Sequence, residues 1–291
     1  MKVPAFLVHL GASCGLLIAT VAAGAQPTAE PHRQPKGYVL AFADEFDGQG
    51  LPDPAKWAYD THRNKQGWYN QEKQYYAAAR SENSRVENGH LIIEARTETL
   101  DRTLYPDWGG QGYTSARLLT RGRASWTYGF FEIRAKLPCG TGTWPAIWML
   151  PEDPAVKWPE GGEIDIMEHV GFAPGEVNQT VHTKAFNFGQ GSQKTTKFQV
   201  PKACDAMHRY QLLWTPNFVL MGVDDQPKFM FKKLRSDRAR WPFDKPMHLI
   251  LNIAVGGTWG GQKGVSAAAF PARMEVDYVR VYQLPTGGAG R

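Results

Sequence analysis

From Gly37 onward the chain is organised by a two-residue rhythm. In residues 128–137 (YGFFEIRAKL), Phe131, Ile133, Ala135 and Leu137 fall on one side and Glu132, Arg134 and Lys136 on the other, the alternation of a strand with one apolar face. Residues 90–98, 113–121, 210–214, 247–255 and 274–284 are similarly rich in β-branched and aromatic side chains. Turns rich in Gly and Pro separate them, among them Asp107-Trp108-Gly109-Gly110 and Gly171-Phe172-Ala173-Pro174-Gly175. Only residues 53–57 and 201–206 predict short helical turns. Many strands with no alternating βα rhythm predict two antiparallel sheets packed face to face, a sandwich or jelly roll. No repeat, low-complexity tract or linker divides them, so one large all-β domain is expected.

The stretch 161–171, GGEIDIMEHVG, breaks the rhythm. Glu163 and Asp165 share a strand face, whereas Glu168, five positions after Glu163, belongs on the other. A β-bulge at Ile166 or Met167 inserts one residue and returns Glu168 to the face of the first two acids. Gathering three carboxylates is unfavourable, because like charges raise one another's pKa and one acid tends to keep its proton. Retaining glycoside hydrolysis requires that situation, with an ionised carboxylate as nucleophile and a protonated one as acid about 5–5.5 Å apart. A merely exposed acidic face is the structural alternative.

Composition narrows the setting. Residues 1–25 carry Lys2, an apolar run from Leu16 to Ala23 and an Ala23-Gly24-Ala25 ending, which read as a secretory signal peptide too short to span a membrane. Cys14 offers a lipoprotein signal instead, but it comes early and no apolar residue stands three before it. Residues 26–36 read as a flexible segment, 37–285 as the catalytic domain and 286–291 as a disordered tail. The expected location is therefore the periplasm or the extracellular space, and the expected state is a monomer with no membrane span. The net charge of +5 is spread without a basic block, which argues against nucleic acid as a partner. Beyond the leader two cysteines remain, Cys139 and Cys204. In an exported protein they form a disulfide candidate, with two buried free thiols as the alternative.

Among ten tryptophans, several stand beside Gly and polar residues, as in Gly67-Trp68-Tyr69-Asn70 and Gly257-Thr258-Trp259-Gly260, and so are not all expected in a core. In GTGTWPAIWMLP, Trp144, Ala146 and Trp148 would share one strand face and offer flat rings to a sugar. With WPAIWMLP before it and VHT after it, GEIDIMEHVG resembles glycoside hydrolase family 16, in its laminarinase-like branch of endo-β-1,3-glucanases. The likeness continues through FADEFDG, NQEKQYY, YTSARL, YGFFEIRAKLP, LILNIAVGGTWGG and FPARMEVDYVRVYQ, nearly the whole chain beyond the leader.

The resemblance implies a β-jelly-roll of two curved antiparallel sheets with a substrate cleft on the concave face. It makes Glu163 the nucleophile, Glu168 the acid/base and Asp165 the carboxylate that tunes them. It implies that Asn70, Arg117, Trp144, Trp148, His182, Asn252 and Trp259 contact sugar or border the cleft, with a β-glucan as the substrate. The residue inserted relative to ExDxE favours β-1,3-glucan over mixed-linkage glucan. The family also implies no catalytic cofactor and a structural Ca2+ far from catalysis, held by Glu45, the Gly89 carbonyl and Asp277.

Other readings carry less. His169 adjoins Glu168 but no HExxH spacing exists, and its side chain should face away from the acids, so a packed histidine is expected. A non-catalytic β-glucan-binding lectin would have no use for crowded acids. Transglycosylation and mixed-linkage hydrolysis would use the same residues.

Overall fold

A computed structural model describes residues 34–234 and 237–285. The expected signal peptide, the segment 26–36 save its last three residues, and the tail 286–291 lie outside them. Among the described residues the chain forms β1 (Val39–Asp44), β2 (Ala58–Tyr59), β3 (Gln74–Tyr76), β4 (Ser84–Glu87), β5 (His90–Thr97), β6 (Tyr113–Ser115), β7 (Arg117–Leu119), β8 (Gly129–Lys136), β9 (Thr143–Pro151), β10 (Glu163–His169), β11 (Glu176–His182), β12 (Lys194–Gln199), β13 (His208–Trp214), β14 (Phe218–Val223), β15 (Gln226–Lys232), β16 (Met247–Val255) and β17 (Ala272–Gln283). The fold is all-β, as the alternation predicts, and its only helical elements here are three single 3-10 turns. None of the described helices is long and apolar enough to cross a membrane.

The strands make two sheets. One has ten strands, with β15-β14-β13-β8-β17-β5-β6-β3 in order and β1 and β4 added on β17 and β5; the other runs β12-β11-β10-β9-β16-β7-β2. Inward-facing residues of both sheets interdigitate as a single core: Phe131, Ile133 and Ala135 from β8 and Leu212 and Trp214 from β13 lie in one cluster with Ile147 and Met149 from β9 and Leu249, Leu251 and Ile253 from β16. This packing is that of a β-sandwich, with each strand's other face turned away from the core.

Two expectations are corrected. The sheets are not purely antiparallel, because β3 and β6 pair in parallel. Residues 113–121 are not one strand either, since the chain changes sheets at fully buried Ala116, so that β6 joins the larger sheet and β7 the smaller. A strand that turns the corner of a sandwich must break its ladder there. The two predicted helical turns appear as single turns, with Trp57 N–H donating to the Asp53 carbonyl and Ala206 N–H to that of Lys202. Cys139 and Cys204 are joined by a disulfide whose Cα atoms are 5.6 Å apart.

Candidate active site

The outer face of the seven-stranded sheet carries the acids. Gly162 leads into β10 with φ at +79°, where a Cβ would fall 2.6 Å from the Phe243 ring, so glycine alone suits both the turn and the approach. Against β9, Asp165 faces Trp148 but Met167 faces Ile147, and against β11, Asp165 faces Thr180 while Glu168 faces Asn178. One extra residue therefore sits between Asp165 and Met167. Ile164, Ile166 and Met167 are fully buried in the core, and the three carboxylates share the opposite face.

Each acid has its own neighbours. Glu163 Oε2 accepts a hydrogen bond from Trp158 Nε1 at 2.7 Å, and Glu168 Oε1 accepts one from Trp144 Nε1 at 3.1 Å. His182, opposite Glu163 in the ladder, brings Nε2 to 3.4 Å from Asp165 Oδ2 and 4.0 Å from Glu163 Oε1. Burial is the first cause that raises all three carboxyls. Glu163 is pushed up to about 8, with Asp165 as the second cause, and Glu168 to about 7, with Glu163 as the second. Asp165 rises well above its usual range, burial first and Glu168 next. Carboxylates this close release protons as a group. The shorter indole bond, from Trp158, favours an anion at Glu163, His182 favours an anion at both glutamates, and Glu72 adds repulsion that raises Glu168.

A cleft of about 690 Å³ runs over this face, and Asn70, Arg117, Trp148 and Glu163 are among the residues that line it. Trp148 Nε1 donates to Asn252 Oδ1 at 2.7 Å, and Asn252 Nδ2 donates to the Tyr76 hydroxyl at 3.0 Å. The Arg117 guanidinium lies over the rings of both Trp68 and Trp148, 5.1 and 4.7 Å from their centroids, and its Nε is 3.0 Å from Asp60 Oδ2. Burial opposes an anion at Asp60, yet Arg117 and His62 outweigh it and hold the carboxyl below its ordinary value. Trp259 meets Trp144 edge to face at 5.3 Å. All seven residues that the resemblance assigned to the cleft thus come to one face. Trp68, one of the tryptophans beside Gly and polar residues, is buried and lies under Arg117.

Sequence reasoning missed three neighbours. Trp158 and Phe188 face each other at 4.9 Å beside His182, both partly exposed at the cleft. Glu72, which receives hydrogen bonds from Asn70 and Gln74, is raised by burial. Its signal was present in NQEKQYY as an acid set between amides, and Trp158 stands only five residues before Glu163.

Both carboxylates expected to hold calcium have arginine partners. Glu45 gives both oxygens to Arg280, at 2.7 Å each, and Asp277 Oδ2 accepts from Arg134 at 2.5 Å with His90 3.9 Å from its other oxygen. A carboxylate paired with a guanidinium offers less charge to a hard cation, and this holds for Glu45 and Asp277 of the set Glu45, Gly89 and Asp277. His169 is packed as expected: it faces away from the acids, accepts from Gly175 N–H at 3.2 Å, and burial lowers it to about 4.

Crowded acids beneath indole rings have a chemical use in cutting polysaccharides, and they place the chain in the class of jelly-roll glycan hydrolases. More particularly, residues 71–280 match the profile of the glycosyl hydrolases family 16, and the chain belongs to that family. It is 50% identical to a β-glucanase of Rhodothermus marinus, over 97% of this chain and 95% of that protein. Among solved structures it is similar to a variant of a non-specific endo-β-1,3(4)-glucanase of family GH16, with TM-score 0.84, 52% identity and coverage of 89% of this chain and 99% of that one. That protein was co-crystallised with 1,3-β-D-cellotriosyl-glucose and presents 1,3-β-D-cellobiosyl-glucose at its active site. The laminarinase of Rhodothermus marinus is also similar, with TM-score 0.79, 54% identity and coverage of 85% and 98%.

Proposed function

We propose that this chain is a retaining endo-glycoside hydrolase that cleaves β-1,3-glucan, with Glu163 as nucleophile, Glu168 as acid/base and Asp165 as the acid that tunes them. The observation that carries the assignment is the bulge between Asp165 and Met167, which gathers the three carboxylates on the cleft face. The similarity to a laminarinase and to a β-glucanase supports the substrate class. In the reaction Glu163 attacks the anomeric carbon while Glu168 gives its proton to the departing glycosidic oxygen. A glycosyl ester then stands on Glu163. Glu168, now ionised, takes a proton from water, and the water displaces Glu163 from the same face that the leaving group left. Asp165, next to Glu163 and buried, adjusts the charge of both without touching the bond that breaks.

Two carboxylates suffice for this chemistry, so no cofactor enters it. Calcium is left out of the reading because Glu45 and Asp277 serve arginines. Export by the leader and a monomeric state are part of the proposal and rest on sequence alone. A second reading, hydrolysis of mixed β-1,3-1,4-glucan, is favoured by the non-specific endo-β-1,3(4)-glucanase that this chain resembles. Product profiles on laminarin and lichenan separate the two substrates, and the same profiles expose any transglycosylation.

Azide tests the roles. With Glu168→Ala and an aryl glucoside whose leaving group needs no acid, the intermediate should accumulate on Glu163, and azide should restore turnover as a β-glycosyl azide. With Glu163→Ala azide enters the vacated space and should give the α-azide by one inversion. Opposite anomers would exchange the roles; full activity in both variants would show that Glu163 and Glu168 are not the catalytic pair, whereas a wild type without turnover on laminarin would be a sugar-binding protein.

A further inference from the structure

We propose that Glu163, Asp165 and His182 form a binding site for one borderline divalent cation of the Zn2+ and Cu2+ class, whose occupancy blocks the nucleophile. One ligand atom from each of the three lies within 4.8 Å of the others. The separations suit such an ion. Bond lengths of about 2.0–2.1 Å in a tetrahedron require ligand atoms roughly 3.3–3.4 Å apart. His182 Nε2 is already 3.4 Å from Asp165 Oδ2 and 4.0 Å from Glu163 Oε1, so only the half-buried Glu163 carboxyl must close in.

The atoms are also available. Asp165 is 1% exposed, and its Oδ2, the oxygen nearest His182, has no hydrogen-bond partner among the described residues. Trp158 holds Glu163 by Oε2, and Oε1 is the oxygen nearest His182; an ion there would replace the hydrogen bond between the Glu163 and Asp165 carboxyls. An imidazole nitrogen beside two carboxylate oxygens selects a borderline ion over Ca2+ or Mg2+, which require about six oxygens. Water would complete the coordination at the fourth position. The other cluster of this kind, Cys139, Cys204 and His169, has its sulfurs in a disulfide and offers no thiolate.

An ion here would draw on the oxygens that Glu163 needs for attack, so metal and glucan should exclude each other. The test is isothermal titration of ZnCl2 into the full chain in chelator-free, phosphate-free buffer, paired with initial rates on laminarin. One site per chain is expected, with competitive inhibition reversed by EDTA, and with Ca2+ and Mg2+ without effect at equal concentration. His182→Gln and Asp165→Asn should each weaken Zn2+ binding by at least about tenfold. Electron paramagnetic resonance of the Cu2+-loaded wild type should show coupling to one imidazole nitrogen, a readout that needs no variant. Absence of binding, unchanged affinity in both folded variants, no nitrogen coupling, or simultaneous binding of Zn2+ and a laminari-oligosaccharide would each overturn the proposal. The calorimetric and spectroscopic arms do not depend on the catalytic roles, so a failure of those roles would be seen separately in the azide experiment.

Discussion

Trp158→Phe isolates one bond at the nucleophile. The phenyl ring keeps an aromatic face toward Phe188, 4.9 Å away in the wild type, but is smaller than indole and lacks the N–H that donates to Glu163 Oε2 at 2.7 Å. A hydrogen bond to a charged group contributes about 1.5–3 kcal/mol net. Trp158 is 41% exposed, so water can replace part of the lost donor and the lower end, about 1.5 kcal/mol, applies. The bond favours the carboxylate over the neutral acid, hence its loss raises the Glu163 constant by about one pH unit. Activity requires Glu163 ionised and Glu168 protonated. The acidic limb of kcat/KM against pH should therefore move up by about one unit while the alkaline limb stays, with a roughly tenfold loss at a fixed pH below the limb. The assay is initial rate on laminarin at low substrate from pH 4 to 9. A uniform loss at every pH would make Trp158 a sugar contact only. A moved alkaline limb would refute the assignment of Glu163 as the ionised partner.

Trp144→Phe should do the converse, raising the alkaline limb by less than a unit, because its 3.1 Å bond serves Glu168; an acidic-limb shift in the same rate profile would contradict this. Stability should also report the crowding. The folded constants of about 8 and about 7 lie above the roughly 4.3 of an unfolded Glu, so this contribution is fully present below about pH 4.3 and is lost as pH rises towards 8. Urea midpoints should fall between pH 5 and 8, less steeply in Glu168→Gln, and a flat wild-type profile would sink the argument. Replacing both Cys139 and Cys204 by Ser frees a loop with a sequence separation of 65 and should cost about 4 kcal/mol by the chain-entropy relation, measured by urea unfolding; a loss below about 1 kcal/mol would show that the cross-link constrains little.

The legible parts of the fold are those where one face is uniformly apolar. β8 and β16 follow the alternation throughout and β17 follows it on either side of a shift between Val276 and Tyr278, and their inward residues are core. β11 was not predicted, because Asn178, Gln179 and Thr180 are polar yet buried, which erases the apolar contrast that marks a strand. The β14–β15 hairpin was missed for a different reason. Its turn sets Asp224 and Asp225 at φ of 51° and 64°, a conformation usually signalled by Asn-Gly or Asp-Gly. At the site, spacing plus resemblance located the acids, His182 and the tryptophans. Trp158, Phe188 and Glu72 were opaque, because loop residues take their place from tertiary packing rather than periodicity. The partners of Glu45 and Asp277 were also opaque: nothing local in FADEFDG or MEVDYVRVY tells that Arg280 and Arg134 pair with these carboxylates.

The bulge shows how one inserted residue reconciles two incompatible demands. Ile166 and Met167 both require the core and are fully buried there, while Glu168 must stand with Glu163 at the cleft. In an unbroken strand one of these would be on the wrong face, since a one-residue slip inverts every side chain beyond it. The insertion has a cost, because it takes the local backbone out of the regular ladder and leaves polar groups to be satisfied. β11 supplies the compensation. Gln179, wholly buried on the core side between Val177 and Val181, donates from Nε2 to the Ile166 carbonyl at 3.1 Å and to the Gly222 carbonyl at 3.3 Å. A buried glutamine among apolar neighbours is unfavourable unless paired; here the bulge pairs its Nε2, while its Oε1 has no partner among the described residues. The polar core-facing residue that hid β11 from the sequence pattern is thus the one that satisfies the bulge carbonyl, and with it the placement of Glu168.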